Sequence, residues 1–116
     1  MILDLPPDPS LKDLQLPFEW RYNQRRGTWV AYAKEFSHQM EFFGPDRKPR
    51  DIFRSDVAAY REYLKKKGNS DNTIAVKLHI GLSFYKLLDE LGVVEAGYNP
   101  FAGMSPRRVR VRKYNK

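Results

Sequence analysis

The chain has 116 residues, of which 41% are hydrophobic, 14% aromatic and 30% charged, with a formal net charge of +7 and no cysteine. That length supports one core rather than two, the composition excludes a disordered chain, and the lack of cysteine excludes disulfides and thiolate metal sites. No apolar run approaches the ~20 residues that span a bilayer, and the opening "MILDLPPDPS" has no signal-peptide pattern, so a cytoplasmic protein without a membrane partner is expected.

Residues 1–26 carry Pro6, Pro7, Pro9 and Pro17, each of which removes a backbone donor and fixes φ. Only "SLKDLQ" has room for a helical turn. Beyond Pro17, Phe18, Trp20 and Tyr22 alternate with polar residues, which predicts an extended N-terminal segment laid on the rest of the fold.

The first long helix is expected from Thr28, a plausible cap after Gly27, to about Phe43, where "GPDRKPRD" stops it. Trp29, Ala33, Phe36, Met40 and Phe43 fall on one arc of its surface, and Ala31, Lys34, His38 and Glu41 face the other way. A second helix starts at Ser55, with Asp56 in its first turn, and ends in Lys65, Lys66 and Lys67 before Gly68. Val57, Tyr60 and Leu64 are its inner face. The lysines complement the negative end of the helix dipole, so their presence has a structural reason as well as a functional one.

The third helix begins between Ser70 and Asn72 and reaches about Leu91, with Gly92 as its stop. Two adjoining stripes, Ile74, Leu78, Gly81, Tyr85 and Leu88 beside Ile80, Phe84, Leu87 and Leu91, require neighbours on two sides. Gly81 lowers helix propensity by ~1 kcal/mol relative to Ala, which points to close approach of another element. His79, Ser83, Lys86 and Glu90 form the solvated face. Lys77 falls inside the apolar arc, either with its stem on apolar surface and its ammonium in water or as a phosphate or base contact. Asn99 and Pro100 make a turn, Phe101 is an apolar plug, and a short terminal helix is expected after it.

From Arg107 to Lys116 the sequence "RRVRVRKYNK" holds six cations and no acid, leaving 15 cations against 14 acids in residues 1–106. The basic excess is therefore a tail, suited either to phosphates or to water. With two histidines and no cysteine, the chain offers no nucleophile and base constellation, no zinc spacing and no glycine-rich phosphate loop. No catalytic residue, metal, cofactor or small-molecule substrate is expected.

Taken in order, Thr28 with Tyr32 and Phe36, then "RSDVAAYREYL", then "GNSDNTIAVKLHIGLSFYKLLDELGVV" and "NP" resemble the core-binding domain of tyrosine recombinases, the phage-integrase family. Ser70, Thr73, Ile74, Lys77, Leu78, Ser83, Phe84, Tyr85, Leu88, Gly92, Asn99 and Pro100 hold the places of that family's pattern, over roughly residues 25 to 103. Val76 and Leu82 stand where family members often carry arginine. The resemblance implies an all-α, SAM-like bundle of about four helices that forms half of a clamp around double-stranded DNA. It divides the chain into an N-terminal segment (1–26), the helical domain (27–103) and a basic linker (104–116) toward a catalytic domain.

In the family two helices of this domain meet the major groove. Carried over, they would offer Arg25, Arg26, Thr28 and Lys34 from the first long helix and Asn72, Thr73, Lys77 and His79 from the third, with Arg107, Arg108 and Arg110 on the backbone. That arrangement requires the two helix N-termini to lie side by side and face outward. The family's catalytic arginines, lysine, His-x-x-Arg and tyrosine have no counterparts here, so the resemblance implies a DNA-binding module of a site-specific recombinase whose partners are DNA and other recombinase protomers. Two other readings share the residues. "YLKKKGNSDNTIAVKLHI" fits a helix-turn-helix regulator, and Phe18, Trp20 and Tyr22 fit a docking strip of a helical protein-interaction domain.

Overall fold

A computed structural model describes residues 5–22 and 26–104, without the side chains of residues 26–29. The described residues form four α-helices and no strand: α1 (Gln15–Tyr22), α2 (Arg26–Phe43), α3 (Arg54–Lys66) and α4 (Asp71–Glu90). Short 3-10 turns at Leu11–Leu14 and Pro49–Asp51 precede α1 and α3. The all-helical class is as the periodicity predicts.

The N-terminal segment differs from expectation. It is not extended after Pro17 but helical from Gln15 to Tyr22. Pro17 sits in the first turn, where its missing N–H has no intrahelical partner to lose. Helical spacing then puts Phe18 in the core at 1% exposure and leaves Trp20 outside at 48%. Phe18 stacks on Phe84 of α4, ring centroids 4.4 Å apart, and meets Phe36 of α2 edge-on at 4.7 Å. Leu11 and Leu14 join the same core. The backbone N–H groups of Leu11 and Lys12 donate to the carbonyls of Arg47 and Pro45, tying this segment to the loop after α2.

The three longer helices keep nearly the expected limits. α2 begins at Arg26, two residues before the anticipated cap, and buries Phe36 and Phe43 while Lys34, His38 and Glu41 remain exposed. α3 begins at Arg54 rather than after Ser55, with Phe53 as the cap residue whose N–H donates to Asp56 Oδ2 at 2.8 Å. Val57, Tyr60 and Leu64 are buried as predicted. α4 is capped by Ser70, whose hydroxyl accepts from the Thr73 N–H. Its nine buried residues contact α2 on one side and α3 on another.

Gly81 is a point of close approach, but the neighbour is a side chain rather than a helix. A Cβ placed there would stand 2.3 Å from the Phe101 ring. Phe101 thus acts as the anticipated plug, 2% exposed, and residues 101–103 form a turn; the terminal helix expected beyond it falls on residues outside those described. No helix among the described residues is long and apolar enough to cross a membrane.

Candidate nucleic-acid interface

The junction between α3 and α4 is built by local rules. α3 closes with the Asn69 N–H donating to the Leu64 carbonyl across Gly68, whose φ of +94° suits glycine, and the Asn69 side-chain amide donates to the same carbonyl at 3.0 Å. The next residue, Ser70, caps α4 and its hydroxyl donates to Thr73 Oγ1 at 3.1 Å. Lys65, Lys66 and Lys67 are all exposed here, and none forms an ion pair with a described carboxylate. The Lys67 ammonium lies 5.1 Å from the centre of the Tyr63 ring. Glu62 and Asp71 stand beside Lys65, so the cationic excess is concentrated on Lys66 and Lys67.

On α4 the four expected contact residues divide between two faces. Asn72, Val76 and His79 are exposed and follow one another at i, i+4 and i+7, forming a single outward stripe. Lys77 points about 160° away from His79, at ~100° per residue, toward α2. Its ammonium donates to Glu35 Oε1 at 3.0 Å. Thr73, on the Lys77 side, has its hydroxyl engaged with the cap.

Glu35 is the side chain that sequence reasoning missed. It is 2% exposed on α2 and accepts from Tyr60 Oη at 2.6 Å and Gln39 Nε2 at 2.8 Å as well as from Lys77. Burial, and then the charge of Glu35, holds the Tyr60 hydroxyl well above the usual tyrosine range, so it stays a donor. The network joins α2, α3 and α4 at one point. Lys77 is therefore neither a stem with a solvated head nor a free cation; its charge is compensated inside the fold.

The requirement for adjacent helix tips is not met. Tyr32 packs on Phe84, whereas Glu35 and Gln39 bond to Lys77, so α2 and α4 cross in opposite senses. The start of α2 goes with the C-terminal half of α4, and the start of α4 with the C-terminal half of α2. At the crossing Phe36 and Phe84, both buried, meet edge-on with ring centroids 5.2 Å apart. Lys34 lies exposed on α2 at the turn before His38. Arg25, Arg107, Arg108 and Arg110 lie outside the described residues, as do the side chains of Arg26, Thr28 and Trp29.

Between the C-terminal halves of α2 and α3 and the first turns of α4 lies a groove of about 490 Å³. Phe42, Tyr60 and Tyr63 form its aromatic wall, with Lys67 and Asn69 at its α3 end and Lys77 at its base. Among the described residues no cluster of carboxylates and histidines is placed to hold a metal ion. A comparison of the chain with protein families, characterised proteins and solved structures found no match.

Proposed function

We propose that this chain is a duplex DNA-binding module of the tyrosine recombinase kind, in which strand cleavage and rejoining fall to a separate catalytic domain. The observation that carries it is the junction of α3 and α4, where the exposed Asn72, Val76 and His79 stripe adjoins three lysines without carboxylate partners. The first turns of α4 enter the major groove, which admits a helix. Asn72 presents an amide suited to an adenine edge, Val76 an apolar surface suited to a thymine methyl, and the lysines neutralise flanking phosphates. The tail from Arg107 to Lys116 adds sequence-independent attraction, and other protomers on the same DNA are the protein partners in this reading.

This interface uses one helix where the resemblance implies two. Lys77 contributes by fixing α4 against α2 rather than by touching DNA. A second reading, docking of a partner protein, is favoured by Leu16 and Trp20, which stand 69% and 48% exposed on one face of α1. Fluorescence anisotropy with a labelled duplex separates the two. Asn72→Ala and His79→Ala weaken duplex binding in the first reading, and Trp20→Ala leaves it unchanged. Absence of binding at low salt refutes the DNA reading.

A further inference from the structure

The groove beside the lysine run has properties that duplex binding by the outer face of α4 does not use. Phe42 and Tyr63 are 36% and 41% exposed, and their rings lie 5.0 Å apart at its wall. Two exposed aromatics side by side offer apolar area that the bundle leaves open to water. The groove lining carries Lys77, paired with the buried Glu35, and one further residue of each sign, Lys67 and Glu41, which form no ion pair with each other. Lys67 lines its α3 end, and the exposed Lys66 precedes it in the chain, whereas Lys65 lines a separate depression with Glu62 and Asp71. Asn69 donates a side-chain amide N–H to the Leu64 carbonyl, which leaves its side-chain oxygen free to accept from a ligand.

A near-neutral aromatic slot bordered by cations matches one chemistry, a flat neutral ring joined to a phosphate. We propose that the groove receives an unpaired nucleobase of a bound DNA strand, stacked on Tyr63 and Phe42, with its phosphate on the lysine run. This rests on the DNA reading above and names a second class of substrate at the same junction. Aromatic platforms beside a basic track are how single-stranded nucleic acid is held without sequence preference. Lys67 now covers the Tyr63 ring, and an exposed cation and ring contact of this kind is weaker than base stacking. On binding, Lys67 leaves the ring for the phosphate, which its flexible stem permits.

The test compares a perfect duplex with the same duplex carrying a one-nucleotide bulge, by anisotropy on the full chain, with free dAMP as competitor. The bulged duplex binds tighter by about five- to tenfold, the low end of what one stacked base contributes. Tyr63→Leu, which keeps apolar bulk but removes the aromatic face, abolishes that preference and leaves the perfect duplex unaffected. Tyr63→Trp retains it, and its added fluorescence is quenched by the bulged duplex alone. Equal affinity for the two duplexes in the parent chain, or an equal loss for both in Tyr63→Leu, overturns the proposal. Displacement by micromolar dAMP also overturns it, since the groove then serves free nucleotides. Binding of the bulged duplex with no binding of the perfect one upholds the nucleobase site and refutes the duplex reading.

Discussion

Replacing Lys77 by methionine isolates the polar network at the centre of the bundle. The Glu35 side chain is 3% exposed and that of Lys77 is 21% exposed, with 3.0 Å between the charged atoms. At that separation and an effective dielectric of about 20, the gross attraction is roughly 5 kcal/mol, most of it offset by the desolvation of two charges. Removal of the cation alone leaves a buried carboxylate with two neutral donors, Tyr60 and Gln39, and the half-exposed His38 ring 3.7 Å away. Breaking a buried pair in this way costs about 3 to 5 kcal/mol, and the low end applies because Lys77 keeps some contact with water. Urea unfolding followed by circular dichroism should therefore show Lys77→Met destabilised by about 3 kcal/mol. The double variant Glu35→Gln with Lys77→Met should recover most of that loss, since no buried charge remains. A loss below about 1 kcal/mol in Lys77→Met would refute the reasoning, because it is the value of an ion pair held in water.

Four further outcomes follow from the packing and the titrating groups. Gly81→Ala should destabilise by about 1 to 3 kcal/mol despite the better helix propensity of alanine, because its Cβ meets the Phe101 ring; a rise in melting temperature would contradict this. Phe18→Ala should cost about 3 to 5 kcal/mol, a loss that an N-terminal segment lying loosely on the surface would not show in the same melt. Ser70→Ala, which removes the cap of α4, should cost about 1 kcal/mol in urea unfolding. Burial raises Tyr22 to about 12 and holds Tyr60 and Tyr85 higher still. All three are neutral in both states below the unfolded value near 10, so their stabilisation is intact there. Above about pH 10 only the unfolded chain ionises them, and stability should fall with pH by about 1.4 kcal/mol per unit for each tyrosine until its folded value is passed. A stability profile flat from pH 9 to 11 would contradict this.

What the sequence revealed depended on periodicity. α2, α3 and α4 carry apolar residues at helical spacing between clear stops; the inner faces of α3 and α4 are found where that spacing puts them, and that of α2 in part, with Phe36 and Phe43 buried alongside Glu35 and Gln39. α1 was hidden because Pro17 reads as a breaker, although the first turn of a helix does not use its N–H. Alternation of Phe18, Trp20 and Tyr22 mimicked a strand over too few residues to tell two periods apart. Glu35 was hidden because charged residues are rarely buried, yet a signal existed in Lys77, a cation within an apolar arc that needs an opposite charge on a neighbouring helix. The relative direction of α2 and α4 was not legible, since amphipathicity identifies a buried face without saying which way its partner runs. The lysines at the end of α3 were visible at once, and the groove they border was not, because it exists only where three helices meet.

The slope of duplex affinity against salt concentration tests most directly whether the α3–α4 junction holds DNA. It should be measured for the full chain, for a chain lacking Arg107 to Lys116, and for Lys65, Lys66 and Lys67 changed together to glutamine. Each phosphate contact contributes a slope of about 0.9, so the triple glutamine variant should lose about 2 to 3 from the slope whether or not the tail is present. A slope that drops only when the tail is removed, and does not respond to the three lysines, would contradict a DNA site on the folded body.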